Sequence, residues 1–63
     1  MKISKRYEVW VGDDLIQDIL DRNQAVNIAR EQFEQYGDEA DVVVDEIIHY
    51  HIENLKDLER IPE

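Results

Sequence analysis

In the stretch KRYEVWVG, apolar and polar side chains alternate. Tyr7, Val9 and Val11 fall on one face, and Arg6, Glu8 and Trp10 on the other. A period of two is the signature of a half-buried strand. GDD at 12–14 supplies turn chemistry, glycine for a positive φ and aspartate for local side-chain hydrogen bonds. LIQDIL then places apolar pairs at 15, 16, 19 and 20, a pattern open to an early helical turn or to a second strand closing a hairpin. The strand is the reading adopted here.

From residue 21 the period changes. At about 100° per residue, Ala25, Val26, Ile28, Ala29, Phe33 and Tyr36 gather on one arc, while Asn27, Arg30, Glu31 and Glu34 occupy the opposite one. Asp21 is the expected N-cap, with Gln24 placed to reach back in a capping box, and Gly37 suits a left-handed terminus. DVVVDEIIHYHIE reads as a long final strand, rich enough in valine and isoleucine to predict the middle of the sheet. Val42, Val44, Ile48, Tyr50 and Ile52 share a parity with Glu46, so a bulge near Asp45 and Glu46 is expected to turn these carboxylates outward. The tail predicts one short turn built on Leu55, Leu58 and Ile61.

The predicted fold is a small α+β domain in ββαβ order, a three-stranded antiparallel sheet with one helix packed on one face. It is a single acidic domain over 1–63, with 1–5 and 54–63 frayed or forming a short terminal turn. A helix covers only one side of such a sheet. The other would carry Arg6, Glu8 and Trp10 with some of Val43, Ile47, His49 and His51, a surface suited to a subunit or partner.

Size sharpens that point. A 63-residue chain removes only ~60% of its unfolded surface from water, so the core must be thin. With no cysteine there is neither a disulfide framework nor a thiolate metal site to staple it. Stability rests on packing, shared with a second subunit if a homodimer forms. No apolar run has membrane-spanning length and MKISKR leads into polar sequence, so no membrane association and a cytoplasmic location are expected.

Charge adds the most. Sixteen acids against seven Lys and Arg give a net of −9, and between Tyr7 and Leu55 thirteen acids face only Arg22 and Arg30. Such a surface repels nucleic acid and steers basic partners toward itself. Glu31, Glu34 and Asp38 continue one line along the helix and past its end, and Glu39, Asp41, Asp45 and Glu46 extend it into the loop and last strand. Asp13, Asp14, Asp18 and Asp21 mark the hairpin. Regularly spaced negative charge on a rigid surface imitates a phosphate backbone presented to a basic groove.

Candidate chemistry is sparse by comparison. His49 and His51 share a strand face ~6.6 Å apart, with Asp45 on the same side were the strand regular, but a zinc site needs three or four ligands. Ser4 is the only serine, in a terminus expected to fray, with no evident base. The pairs Asp13/Asp14 and Asp45/Glu46 would need a cleft to perturb them, and GDDLIQD lacks the calcium-loop spacing. The two glycines, far apart, make no phosphate loop. No enzyme activity and no cofactor are expected.

The layout YEVWVGDDLI, DRNQAVNIAREQFEQYG, VVVDEII resembles that of small acidic phage-encoded inhibitors, among them anti-CRISPR proteins and DNA mimics. The likeness lies in size, charge and element order. It implies stoichiometric binding to a basic nucleic-acid-handling complex such as a host defence effector. The charge pattern assigns Glu31, Glu34, Asp38, Glu39, Asp41, Asp45 and Glu46 to that contact, with Trp10 or Tyr36 as an apolar anchor. The alternative is a homodimeric accessory protein that assembles through its exposed sheet face or an edge strand.

Overall fold

The computed structural model describes residues 1–62. The chain forms β1 (Lys2–Val11), β2 (Asp14–Ile19), α1 (Arg22–Tyr36), a short 3-10 turn (Gly37–Glu39), β3 (Val42–His51) and a second 3-10 segment (Leu55–Arg60). The sheet is antiparallel in the order β2-β1-β3. This is the expected small ββαβ fold.

Strand order corrects one expectation. β1, not β3, is the central strand, and β3 is an edge. The valine-rich run marks a half-covered edge strand here, because both flanking strands pair with β1. Residues 2–5, expected to fray, are the first half of β1 and pair in register with His51 through Ile48.

The bulge also lies elsewhere. β1 and β3 pair without a break from Lys2↔His51 to Val11↔Val42, so Asp45 and Glu46 keep strict alternation. The register shifts instead between β1 and β2, where Val9 faces Gln17 but Trp10 faces Leu15, leaving Ile16 as the extra residue. That explains the helix-like adjacency of Leu15 and Ile16. The hairpin turns through Gly12 at φ 58° and Asp13 at negative φ, the II′ pattern that matches strand twist.

Asp21 caps α1 as predicted, its carboxylate accepting from the backbone N–H groups of Asn23 (2.8 Å) and Gln24 (3.2 Å). Gln24 thus joins the cap through its backbone. Gly37 ends the helix at φ 61°, ψ −138°, its N–H donating to the Phe33 carbonyl. That ψ lies outside the left-handed helical region, in territory open essentially to glycine.

The core is small. Tyr7, Val9 and Ala25 are its only buried apolar residues among those described, with Ile19, Ile28 and Ala29 packed partly against them. All lie where α1 crosses the three-stranded part of the sheet. Residues 2–6 pair only with 47–51, so the molecule continues as a two-stranded ribbon ~16 Å long beyond β2. The result is a body 46 Å long and 19 Å by 15 Å across.

The tail reverses its predicted polarity. Leu55 and Leu58 point to solvent, while Asp57 is buried. Its carboxylate accepts from the N–H groups of Glu53 (2.9 Å) and Asn54 (3.3 Å) and lies 3.6 Å from the Met1 ammonium. The Asn54 side chain accepts from Lys56 N–H and also caps the Asp57 backbone, which with the Asp57 carboxylate on Asn54 N–H makes a capping box. An N-x-x-D signal outweighed three apolar residues, because it satisfies backbone donors that nothing else reaches. No helix among the described residues is long and apolar enough to cross a membrane.

Candidate functional site

The structure divides the sequence-predicted interface into three places. Glu31 and Glu34 are exposed on the outer side of α1, and Asp38, Glu39 and Asp41 follow, exposed, through the 3-10 turn and its exit. Tyr36, partly exposed, stands at the last helical turn beside them. The Asp41 carbonyl accepts from Gly12 N–H at 2.8 Å, which ties this loop to the β-hairpin turn. The exposed carboxylates of Asp13 and Asp14 therefore join the same end of the molecule. Sequence spacing could not show that, since Asp14 and Asp41 are 27 positions apart.

Asp45 and Glu46 part from this group. Asp45 faces Glu8 across the sheet on the side away from α1. Glu46 lies on the helix side, opposite Tyr7, where Lys5 Nζ approaches within 3.4 Å. Without a bulge the two carboxylates point to opposite faces, so they do not form one line with the helix acids. Trp10 sits half-buried between Leu15 and Val43 on the open face, its indole Nε1 buried with no acceptor.

Charge is distributed unevenly along the body. Residues 7–45 carry eleven acids against Arg22 and Arg30, the whole net charge of −9, whereas 1–6 and 46–63 together hold five of each sign. Among the described residues no ion pair engages Glu31, Glu34, Asp38, Glu39, Asp41, Asp13 or Asp14. These side chains remain hydrated and free to meet a cation.

On the open face one cation is shared among the acids. Arg6 Nη1 donates to Asp18 Oδ2 at 2.6 Å and to Glu8 Oε2 at 3.2 Å, and Arg6 Nε donates to His49 Nε2 at 3.1 Å. One guanidinium thus links three strands. Ser4 Oγ and His51 Nε2 are hydrogen-bonded at 2.9 Å, a pairing that the sequence did not disclose. It lies on an exposed ribbon, and no cavity is enclosed among the described residues to hold a substrate against it.

The histidine rings stand 6.3 Å apart, each Nε2 engaged as above. Asp45 shares their face but sits four positions from His49, ~13 Å along the strand. No three His, Asp or Glu side chains converge on a metal-sized space among the described residues.

The one resolved titration shift belongs to Asp57. The Glu53 N–H holds its carboxyl below the ordinary aspartate value, with help from Asn54 N–H and the terminal ammonium, against a desolvation that pushes it up. Its role is to anchor the tail. Comparison with known proteins finds no match: no family model, curated protein or solved structure is significantly similar to this chain.

Proposed function

We propose that the protein is a non-enzymatic acidic inhibitor that places its helix-loop end in a basic groove of a nucleic-acid-handling complex, such as a host CRISPR defence effector, and competes with the nucleic acid there. One observation carries the reading. The entire net charge lies in residues 7–45, and seven of those carboxylates at the helix-loop end are exposed and in no ion pair among the described residues. An ordinary surface intersperses both signs. Unpaired carboxylates on a capped helix and a hydrogen-bonded loop can meet Lys and Arg without an internal ion pair first being broken. Tyr36, at the same end, adds apolar contact.

The accessory-protein reading through the Trp10 face has less support. Arg6 is the one cation alongside Glu8, Asp18 and Asp45 there, so two copies meeting on that face would bring surplus negative charge together.

The test is capture of partners from a nuclease-treated host lysate, with a wash from low to high salt. A single nucleic-acid-binding complex, released as salt rises and displaced by DNA or RNA, is the expected result. Glu31→Lys, Glu34→Lys and Asp38→Lys together should abolish capture while leaving the circular dichroism spectrum intact. Capture unchanged by these reversals would rule out the acidic end as the contact.

A further inference from the structure

A chain of 7.5 kDa folded as an ordinary monomer exposes about 4,250 Å² by the size scaling of globular proteins. This one exposes 5080 Å². The surplus, about 800 Å², is what each partner loses in a protein interface of standard size. The radius of gyration agrees: 15.1 Å, where a compact domain of this length has about 11 Å.

Part of the surplus lies on the ribbon. Beyond α1 the β1–β3 ribbon leaves its helix-side face uncovered. Ile3 lies directly opposite Tyr50 there, and Ile48 is the next residue on that face of β3. Ile3 is 56% exposed and Ile48 39%, and Ile52 just past the strand is 41% exposed. An isolated two-stranded ribbon is marginally stable in water. This one also carries its apolar residues, with Lys5 among them paired to Glu46, on a face that no other element among the described residues covers.

Charge selects the occupant. Two copies carrying −9 each repel unless they meet where net charge is absent, and the segments that form the ribbon and tail are formally neutral while the acids concentrate in 7–45. We infer that a second copy of this chain covers the helix-side face of the ribbon, burying Ile3, Ile48 and Tyr50 about a two-fold axis and directing the two acidic ends apart. The contact is isologous, so each apolar face meets its own copy. This inference does not depend on what the acidic end binds.

Sedimentation equilibrium of the full chain across 5–500 µM tests it. The expected mass is twice the chain's, with a thermal midpoint that rises with protein concentration, as dimer linkage requires. Ile48→Glu should weaken association at least a hundredfold, whereas Leu15→Glu, beside Trp10 on the other face, should leave it unchanged. A wild-type monomer with a concentration-independent midpoint overturns the inference. So does a folded Ile48→Glu variant that still dimerises. If Ile48→Glu fails to fold, the wild-type mass and midpoint alone decide.

Discussion

Val9 is the one large side chain with no exposure, held near the end of β1 with Tyr7, Ala25 and the flanking strands around it. Truncation to alanine removes two methyl groups from that position. Transfer alone is worth about 1.6 kcal/mol at ~0.8 per carbon. If the space stays open the cost approaches about 3 kcal/mol, at ~0.5–1.5 per buried methyl. A chain of this length has about 3–9 kcal/mol in total. Val9→Ala should therefore remove about a fifth of the stability or more, measured by guanidinium unfolding with Trp10 fluorescence at one fixed protein concentration. Leu55→Ala is the control: at 84% exposure it should change stability by less than ~0.5 kcal/mol. A Val9→Ala loss below ~0.5 kcal/mol, or equal effects at the two sites, would refute the claim that the core is centred on three residues.

Three further outcomes follow from local geometry. Gly37→Ala should destabilise by about 1–3 kcal/mol, because φ 61° with ψ −138° strains any side chain although space there is open; a smaller loss than for Gly12→Ala in the same unfolding assay would contradict this. Trp10→Phe removes a buried N–H that lacks an acceptor, so stability followed by circular dichroism should change by less than ~1 kcal/mol; a loss above ~2 kcal/mol would reveal a partner for the indole. Asp57 anchors the tail with a carboxyl whose folded value lies below the ordinary ~3.9. Its contribution is present above that value and lost as pH falls through the folded one. The Glu53 and Asn54 amide resonances should accordingly move with a midpoint under ~3.9, and Asp57→Asn should abolish the transition. A midpoint at or above ~3.9 would contradict the hydrogen-bonded carboxylate.

Legibility in the sequence followed the physics of each element. The helix was readable with its cap because Asp21, the apolar arc and Gly37 act within a few residues of one another. The hairpin was readable at its turn but ambiguous at Leu15 and Ile16, where two neighbouring apolar residues belong to a bulge whose other half, Val9 and Trp10, lies on another strand. Apolar density suggested a central β3. Strand order is decided instead by which strand both others can pair with, and that is a property of the connections. Glu46 illustrates the same limit: a carboxylate on the apolar parity suggested a bulge, whereas the chain tolerates it because the helix ends its cover there and Lys5 stands alongside. In the tail, apolar spacing outvoted Asn54 and Asp57 in the reading, although backbone donors there had no other partner.

For the candidate site, the helix and loop acids were found from spacing, and their union with Asp13 and Asp14 came only from the Gly12–Asp41 hydrogen bond. Asp45 and Glu46 were grouped with them because they are adjacent in sequence, and strand alternation separates them.

The division of charge ties the two proposals together and also distinguishes them. Contact through exposed carboxylates weakens as salt rises, since the screening length falls from ~10 Å at 0.1 M to ~3 Å at 1 M. Burial of Ile3, Ile48 and Tyr50 does not weaken, and relief of repulsion between two −9 bodies strengthens self-association over the same range. One salt series should therefore move the two equilibria in opposite directions. A basic partner would be lost while the two-chain mass persists, which separates an acidic end that binds another protein from a neutral end that binds itself.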